Sequence, residues 1–149
     1  MANRTTVFYV DDNPKSSRLL TRVLEEAGFR VIAKNDPVEA LAACQKTYFD
    51  LALLDYDMPL MSGSRLAQEI KYLFPDVPVV LISGRTSLPS SELAFVDTHF
   101  GFETSLEDLL WTIRILVQPK LVQPKWISAA DRRPDRHDRR EFTQWADST

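Results

Sequence analysis

The sequence has almost nothing with which to cross-link itself or to anchor in a membrane. Cys44 is the only cysteine among the 149 residues, which excludes an internal disulfide and favours a reducing compartment. No apolar run approaches the roughly 20 residues that a membrane-spanning helix needs. Near the amino terminus Arg4 is followed only by the short stretch TTVFYV before two aspartates, so no signal peptide is expected. We therefore expect a cytoplasmic protein that does not cross a membrane.

Positive charge is also scarce in most of the chain. The first 117 residues contain 16 acidic and 11 basic residues, whereas residues 118–149 contain 5 acidic and 7 basic ones. An acidic surface argues against a dedicated nucleic-acid interface, because nucleic-acid phosphates repel it. The roughly 30 residues after position 117 are also too few for a helix-turn-helix output domain. Direct DNA binding is therefore not expected.

Residues 118–149 have little apolar periodicity. The sequence LVQPK occurs twice, at 116–120 and 121–125, and each proline prevents a helix from continuing. The remainder combines five arginines with five acidic residues, a composition typical of solvated, disordered segments. We predict a globular domain over residues 1–117, followed over 118–149 by a proline-containing linker and a charged, disordered tail.

Strand-like and helix-like segments alternate through the first 117 residues. Short segments rich in apolar and β-branched residues predict strands at 6–10, 29–33, 51–55, 77–82 and 98–102. Helical patterns begin near positions 14, 37, 64, 86 and 106. Pro89 and neighbouring serines interrupt the fourth of these, over 86–96. Five strands and five helices joined by short connections predict a parallel, doubly wound α/β sheet, in an order that pattern alone does not fix.

Three carboxylates and one hydroxyl follow the predicted strands. Asp11 and Asp12 come after the first strand, and Asp55 ends the third. Ser83 follows the fourth. Ligands bind at this edge of open α/β sheets, and three converging oxygen ligands suit Mg²⁺. A carboxylate beside such an ion can attack phosphorus to form an acyl phosphate, whose oxygens the Ser83 hydroxyl could hydrogen-bond.

These residues form an ordered set of motifs. The paired aspartates are followed by D-x-x-x-P-x-x-x-G, from Asp55 through Pro59 to Gly63, and then by a serine after VVLI. Over residues 5–117 the set resembles the receiver domain of two-component response regulators. The resemblance implies a flavodoxin-like (βα)5 fold with strand order 2-1-3-4-5. It also implies that Asp55 accepts a phosphoryl group from a histidine kinase or a histidine phosphotransfer protein. Gly63 is expected to adopt a backbone conformation that other residues avoid.

The resemblance also assigns the metal ligands and the output surface. It implies that Asp12, Asp55 and the main-chain carbonyl of Asp57 hold Mg²⁺, with Asp11 acting mainly through water. The side chain of Asp57 is expected to be only a turn carboxylate. Output would occur by protein contact through the fourth helix, fifth strand and fifth helix. A homodimer through the same face is a further expectation.

The sequence departs from the family at the end of the fifth strand. The family has a lysine there that pairs with the phosphoryl group, but Phe102 occupies this position and Glu103 stands where a proline usually follows. No lysine lies between positions 71 and 120. Our hypothesis is that Arg85, in the loop after the fourth strand, partly substitutes as the cationic partner of the phosphate.

His99 occupies the position of the aromatic residue that switches conformation in the family. It could turn inward over Ser83 when Asp55 is phosphorylated. It could equally be a packed or exposed histidine with no switching role.

Two other functions remain open from the sequence alone. The missing lysine favours a degenerate receiver that acts as a phosphorylation-independent interaction module, although the intact acidic residues oppose it. Asp55-Tyr56-Asp57 also resembles the D-x-D nucleophile and general acid of haloacid-dehalogenase-like phosphatases. Those enzymes place D-x-D on their first strand, which disfavours the second alternative. We expect at most self-catalysed phosphotransfer and dephosphorylation rather than enzymatic turnover.

Overall fold

Five β-strands and four α-helices make up the part of the chain that the computed structural model describes, residues 4–85, 87–101 and 103–118. In chain order they are β1 Thr6–Val10, α1 Pro14–Glu26, β2 Arg30–Lys34, α2 Pro37–Cys44, β3 Leu51–Asp55, α3 Gly63–Leu73, β4 Val79–Ser83, β5 Thr98–Gly101 and α4 Leu106–Val117. The chain divides into two units, Met1–Val117 and Gln118–Thr149, and all these elements belong to the first.

The strands form one sheet in the order β2-β1-β3-β4-β5, and every neighbouring pair is parallel. This confirms the fold class and the strand order that the sequence and its family resemblance predicted. The register pairs Val10 with Leu54 and Asp55 with Ile82. Strands β1, β3 and β4 therefore end at the same edge of the sheet. Asp11 and Asp12 directly follow β1, Asp55 ends β3, and Ser83 ends β4.

The core lies on both faces of the sheet, because side chains alternate between the faces along each strand. Phe8, Val10, Ala52 and Leu54 belong to one buried cluster together with residues of α2 and α3. Val7, Tyr9, Leu51 and Leu53 belong to the other, with residues of α1 and α4. The first four residues of β3 are completely buried, as expected of a central parallel strand covered by helices on both sides.

The helix starts follow the capping signals of the sequence. The side chain of Asn13 accepts hydrogen bonds from two amides of the first turn of α1, and Asp36 does the same for α2. Proline occupies the first turn of each of these helices, where its missing N–H is not needed. Ser62 caps α3, which begins at Gly63, one residue before its predicted start.

The fourth predicted helix, over 86–96, is wrong as an α-helix. Within the described residues of this segment, only a 3₁₀ helix forms, at Ser90–Leu93. Pro89 precedes it with an extended backbone, and serine side chains compete for backbone hydrogen bonds instead of favouring a longer helix. The predicted fifth helix is α4.

Some predictions fall outside the described residues. Phe102, at the position of the family lysine, is one of these, and so are residues 119–149 of the predicted linker and tail. The interpretation of residues 1–117 as a globular receiver domain, and of residues 118–149 as a linker and a disordered tail, stays a prediction. In the described part of the chain, no helix has both the length and the apolar character needed to cross a membrane.

Candidate functional site

Three carboxylates meet at the carboxyl edge of the sheet. One oxygen from each of Asp11, Asp12 and Asp55 lies within 4.8 Å of the others. Asp11 is buried, whereas Asp12 and Asp55 are half-buried. The parallel pairing of β1 with β3 creates this arrangement, because the residues after Val10 and Leu54 emerge side by side. The structure therefore brings together the three acidic residues that the sequence predicted at one site.

Asp55 shows the electrostatic consequence of this clustering. Its pKa is raised from 3.8 to about 7, first by burial and then by the negative charges of Asp11, Asp12 and Asp57. A hydrogen bond with Asp12 contributes in the same direction. Like charges that share a site disfavour the ionised form. A divalent cation would remove this repulsion, and a set of carboxylate oxygens at an open edge fits a hard ion such as Mg²⁺.

Both oxygens of Asp11 accept hydrogen bonds from its own chain neighbours. The hydroxyl of Tyr9 donates to Oδ2 at 2.7 Å, and the backbone N–H of Asn13 donates to Oδ1 at 3.0 Å. Burial and then the bond to Asp11 raise the pKa of Tyr9, so the phenol remains a donor at neutral pH. The sequence interpretation missed Tyr9, although its position two residues before Asp11 was a signal that both side chains point the same way.

Gly63 is required by close packing and not by an unusual backbone conformation. A Cβ atom at Gly63 would collide with the carbonyl oxygen of Asp55 and lie 2.7 Å from Cδ1 of Leu81. The expectation of a special conformation at Gly63 was wrong, because the positive φ in this loop, 72°, belongs to Leu60. The glycine lets α3 begin directly against the end of β3, and this close packing fixes the backbone of Asp55.

Arg85 lies in the loop after β4, and two contacts hold its side chain. Its Nη2 donates to Oδ1 of Asp57 at 3.2 Å, and its guanidinium carbon lies 5.2 Å from the centre of the Tyr56 ring. The hydrogen bond to Asp57 is the main cause that raises the pKa of Arg85. The side chains of Arg85 and Asp57 are 57% and 59% exposed, so the ion pair itself is weak. The Asp57 side chain thus has a partner that the sequence interpretation did not foresee.

A second set of contacts connects the residue after β3 and the start of α3 to the 3₁₀ helix. The Tyr56 hydroxyl donates to Oε1 of Glu92 at 3.1 Å, and the Ser64 hydroxyl donates to the backbone carbonyl oxygen of Glu92 at 2.5 Å. The residues involved are separated by 36 and 28 positions in the chain. No local sequence pattern links residues so far apart, which is why these contacts could not be predicted.

Ser83 ends β4 and is completely buried. Its hydroxyl oxygen accepts a hydrogen bond from the backbone N–H of Arg85 at 3.0 Å. A hydroxyl that accepts one hydrogen bond keeps its own hydrogen for donation. The register places Ser83 one residue beyond Ile82, the pairing partner of Asp55.

The end of β5 presents no lysine in the described residues. His99 pairs with Leu81 in the sheet, and its Nε2 is buried without a hydrogen-bond partner among the residues that the structure describes. Two residues further along, a Cβ atom at Gly101 would lie 2.9 Å from Oε1 of Glu103. The Glu103 carboxylate therefore packs against the backbone of Gly101, and it brings negative charge to this strand end.

The receiver-domain family accounts for most of the described chain. The family model for the response regulator receiver domain matches residues 7–102. The chain is 31% identical over 133 residues to protein-glutamate methylesterase/protein-glutamine glutaminase 3 of Hahella chejuensis. This alignment covers 78% of this chain and 38% of that protein. It is 31% identical over 102 residues to the C4-dicarboxylate transport transcriptional regulatory protein DctD of Rhizobium meliloti. This second alignment covers 68% of this chain and 22% of that protein. The chain thus spans well under half of the length of either relative.

A solved structure shares the same architecture. The response regulator protein TrrA of Thermotoga maritima, solved in complex with Mg(2+)-BeF, superposes with a TM-score of 0.71 at 26% sequence identity. The similarity covers 75% of this chain and 98% of that chain.

Proposed function

Because this chain belongs to the response regulator receiver family, we propose that it accepts a phosphoryl group on Asp55 in a Mg²⁺-dependent reaction. The observation that carries the proposal is the cluster of Asp11, Asp12 and Asp55, whose oxygens lie within 4.8 Å of one another. The phosphodonor would be a histidine kinase or a histidine phosphotransfer protein. Signalling would then proceed by contact with another protein rather than with DNA.

The metal ligands in this proposal are Asp12, Asp55 and the main-chain carbonyl of Asp57. Asp11 would act mainly through water, and the hydrogen bonds that its two oxygens already accept support this more distant role. When bound, Mg²⁺ would supply positive charge that keeps Asp55 ionised and neutralises the incoming phosphoryl oxygens.

Asp55 would act as the nucleophile. One of its carboxylate oxygens forms a bond to phosphorus while the bond from phosphorus to the donor histidine nitrogen breaks, and that nitrogen leaves with its electron pair. The pKa of about 7 implies that much of Asp55 is protonated at neutral pH without a cation. Only the ionised carboxylate is nucleophilic. The reaction would therefore need the cation to keep Asp55 ionised, in addition to neutralising the phosphoryl oxygens.

Ser83 would donate its hydroxyl hydrogen to a phosphoryl oxygen on Asp55. Its oxygen is already fixed by the N–H of Arg85, so the hydroxyl hydrogen has few directions left. This bond would tie β4 to the phosphorylated state. His99, whose Nε2 has no partner among the described residues, would rotate towards Ser83 in response.

Arg85 would partly replace the missing lysine. It lies in the loop that follows Ser83, where Asp57 and the Tyr56 ring hold its side chain. A phosphoryl group on Asp55 would compete with the Asp57 carboxylate for the guanidinium, which forms paired hydrogen bonds with phosphate oxygens. We expect Arg85→Ala to slow labelling by acetyl phosphate and to weaken beryllofluoride binding. Unchanged labelling and affinity would remove Arg85 from the account.

The output surface proposed here is the 3₁₀ helix Ser90–Leu93 together with β5 and α4. It would bind an unidentified downstream protein or a second copy of the chain. Phe95, between the 3₁₀ helix and β5, is 42% exposed, and Trp111 on α4 is 64% exposed, which supports an apolar contact. A cytoplasmic location belongs to the same proposal, because the lone thiol of Cys44 suits a reducing compartment.

A degenerate receiver is the second candidate function. Glu103 favours this alternative, because its carboxylate lies at the end of β5, next to the position where the family has a positively charged lysine. Such a protein would bind its partner without regulated phosphorylation. The D-x-D phosphatase interpretation has no comparable support, because the chain belongs to a family with a different order of motifs.

Beryllofluoride binding separates these candidates. Beryllofluoride imitates a phosphoryl group on an aspartate, so isothermal titration in the presence of Mg²⁺ should give saturable binding to the wild-type protein. Asp55→Asn should abolish the binding, and omission of Mg²⁺ should do the same. Absence of binding in the wild-type protein would favour the degenerate receiver.

A further inference from the structure

Tyr9 is a buried polar residue in an otherwise apolar layer. It lies on β1, is 2% exposed and packs in the cluster that contains Val7, Leu53 and Val80. A phenylalanine ring would bury the same apolar surface without a polar atom. A buried phenol hydroxyl is costly unless it is hydrogen-bonded, so the position of its partners decides what the residue contributes.

The Tyr9 hydroxyl has a carboxylate of the acidic cluster as its main partner. It donates to Oδ2 of Asp11 at 2.7 Å, and the Ser16 carbonyl oxygen lies 3.4 Å from the same hydroxyl. The bond to Asp11 is short and buried, as expected when the acceptor is a carboxylate. The N–H of Asn13 holds the other carboxylate oxygen. Asp11 is therefore fixed at both oxygens.

We propose that Tyr9 is a positioning residue for the metal site, whose hydroxyl fixes the Asp11 carboxylate and thereby increases the affinity of the cluster for Mg²⁺. The inference rests on the proposed function, since it assumes that Mg²⁺ binds among these carboxylates. The physical basis is preorganisation. A carboxylate that is already oriented loses less side-chain freedom when it binds the ion or its water.

Tyr9→Phe tests the proposal because it removes one oxygen atom and keeps the ring. Mg²⁺ affinity is measured on the full chain by titration with MgCl₂, with NMR or calorimetric detection, in the absence of any phosphodonor. We expect affinity about tenfold weaker, which is at the lower end for loss of a hydrogen bond that orients a metal ligand. Equal affinity in a folded Tyr9→Phe protein would overturn the proposal.

Tyr48→Phe is the matched control. Tyr48 also donates its hydroxyl to an aspartate two residues later, at 3.1 Å from Oδ1 of Asp50, but it is exposed and lies at the opposite end of β3 from Asp55. The control should leave Mg²⁺ affinity unchanged. An equal loss in both variants would show that Tyr9 has no specific role.

A double-mutant comparison tests whether Tyr9 acts through Asp11. In the Asp11→Asn background, Tyr9→Phe should cause no further loss of Mg²⁺ affinity. A full additional loss in this background would overturn the mechanism. If the wild-type protein binds no Mg²⁺, the proposed function fails together with this inference. If the wild-type protein binds Mg²⁺ and Tyr9→Phe binds it equally well, only the inference fails.

A measurement on the wild-type protein covers the case in which Tyr9→Phe does not fold. With ¹³C-labelled tyrosine, the Cζ resonance of Tyr9 should shift during the Mg²⁺ titration with the same midpoint as metal binding, while that of Tyr48 stays constant. A Tyr9 resonance that does not respond to saturating Mg²⁺ would contradict the proposal.

Discussion

At the scale of single residues, Asp55 carries the clearest physical signature of the site. Its pKa of about 7 lies far above the ordinary value of 3.8 because of burial and neighbouring negative charge. In the unfolded chain the same carboxyl returns to its ordinary pKa. The raised folded-state pKa therefore stabilises the fold below about pH 4, and this contribution is lost as the pH rises through about 7.

Asp55→Asn should remove this pH dependence. Without divalent cations, the unfolding free energy of the variant minus that of the wild type should be about 1 to 2 kcal/mol larger at pH 8 than at pH 4.5. This value is reduced for the partial exposure of Asp55. Urea denaturation in the presence of EDTA at the two pH values measures the difference. A stability difference that is the same at both pH values would contradict the assignment of the raised pKa.

Gly63→Ala should destabilise the fold through steric overlap. The added Cβ would meet the Asp55 carbonyl oxygen and Cδ1 of Leu81, and relief requires movement of α3 away from β3. We expect a loss of about 1 to 3 kcal/mol in unfolding free energy, in the range for overpacked cores, measured by urea denaturation. Leu60→Gly serves as the control, because it relieves a positive φ in the same loop and should not destabilise. A neutral Gly63→Ala would show that the loop has room that the structure does not indicate.

The residues of the site differ in how far the sequence could identify them. The convergence of Asp11, Asp12 and Asp55 was predictable, because the first two directly follow β1, Asp55 ends β3, and parallel strands end at one edge. The hydrogen bond from Tyr9 to Asp11 depends on a side-chain rotamer, and the contact of the Arg85 guanidinium with the Tyr56 ring depends on how two loops approach. The spacing of Tyr9 and Asp11 indicates only that both side chains point the same way, and no spacing along the chain predicts either contact by itself.

At the scale of elements, the 3₁₀ helix Ser90–Leu93 is the main departure from prediction. Helices α1 and α2 began where their capping residues and prolines predicted, because capping is local chemistry. The 3₁₀ helix has no side-chain cap. It is held instead by long-range bonds from Tyr56 and Ser64 to Glu92. Tertiary contacts of this kind override local propensity and are invisible in the sequence.

Tyr56→Phe should loosen the 3₁₀ helix and leave the sheet unaffected. The variant loses the hydrogen bond to Glu92 but keeps the ring that lies against Arg85. A single hydrogen bond contributes about 1 kcal/mol, so amide hydrogen exchange in residues 90–96 should become about fivefold faster. Ser91→Ala, which changes a neighbouring hydroxyl, is the matched control. Unchanged exchange would indicate that the bond to Glu92 does not hold this segment.

At the scale of the whole molecule, a parallel five-stranded sheet with helices on both faces brings together residues from distant parts of the chain. The alternation of strands and helices predicted the sheet, but pattern alone did not fix the strand order. The family resemblance supplied that order, and the structure confirms it.

The most direct test of the central claim is covalent phosphorylation of Asp55. The wild-type protein is incubated with acetyl phosphate with and without Mg²⁺, and the intact mass is measured at intervals. The account predicts the addition of one phosphoryl group that requires Mg²⁺, is absent in Asp55→Asn and persists in Asp57→Asn. No added mass in the wild-type protein at saturating Mg²⁺, or equal labelling of Asp55→Asn, would contradict the claim that Asp55 is the phosphoacceptor.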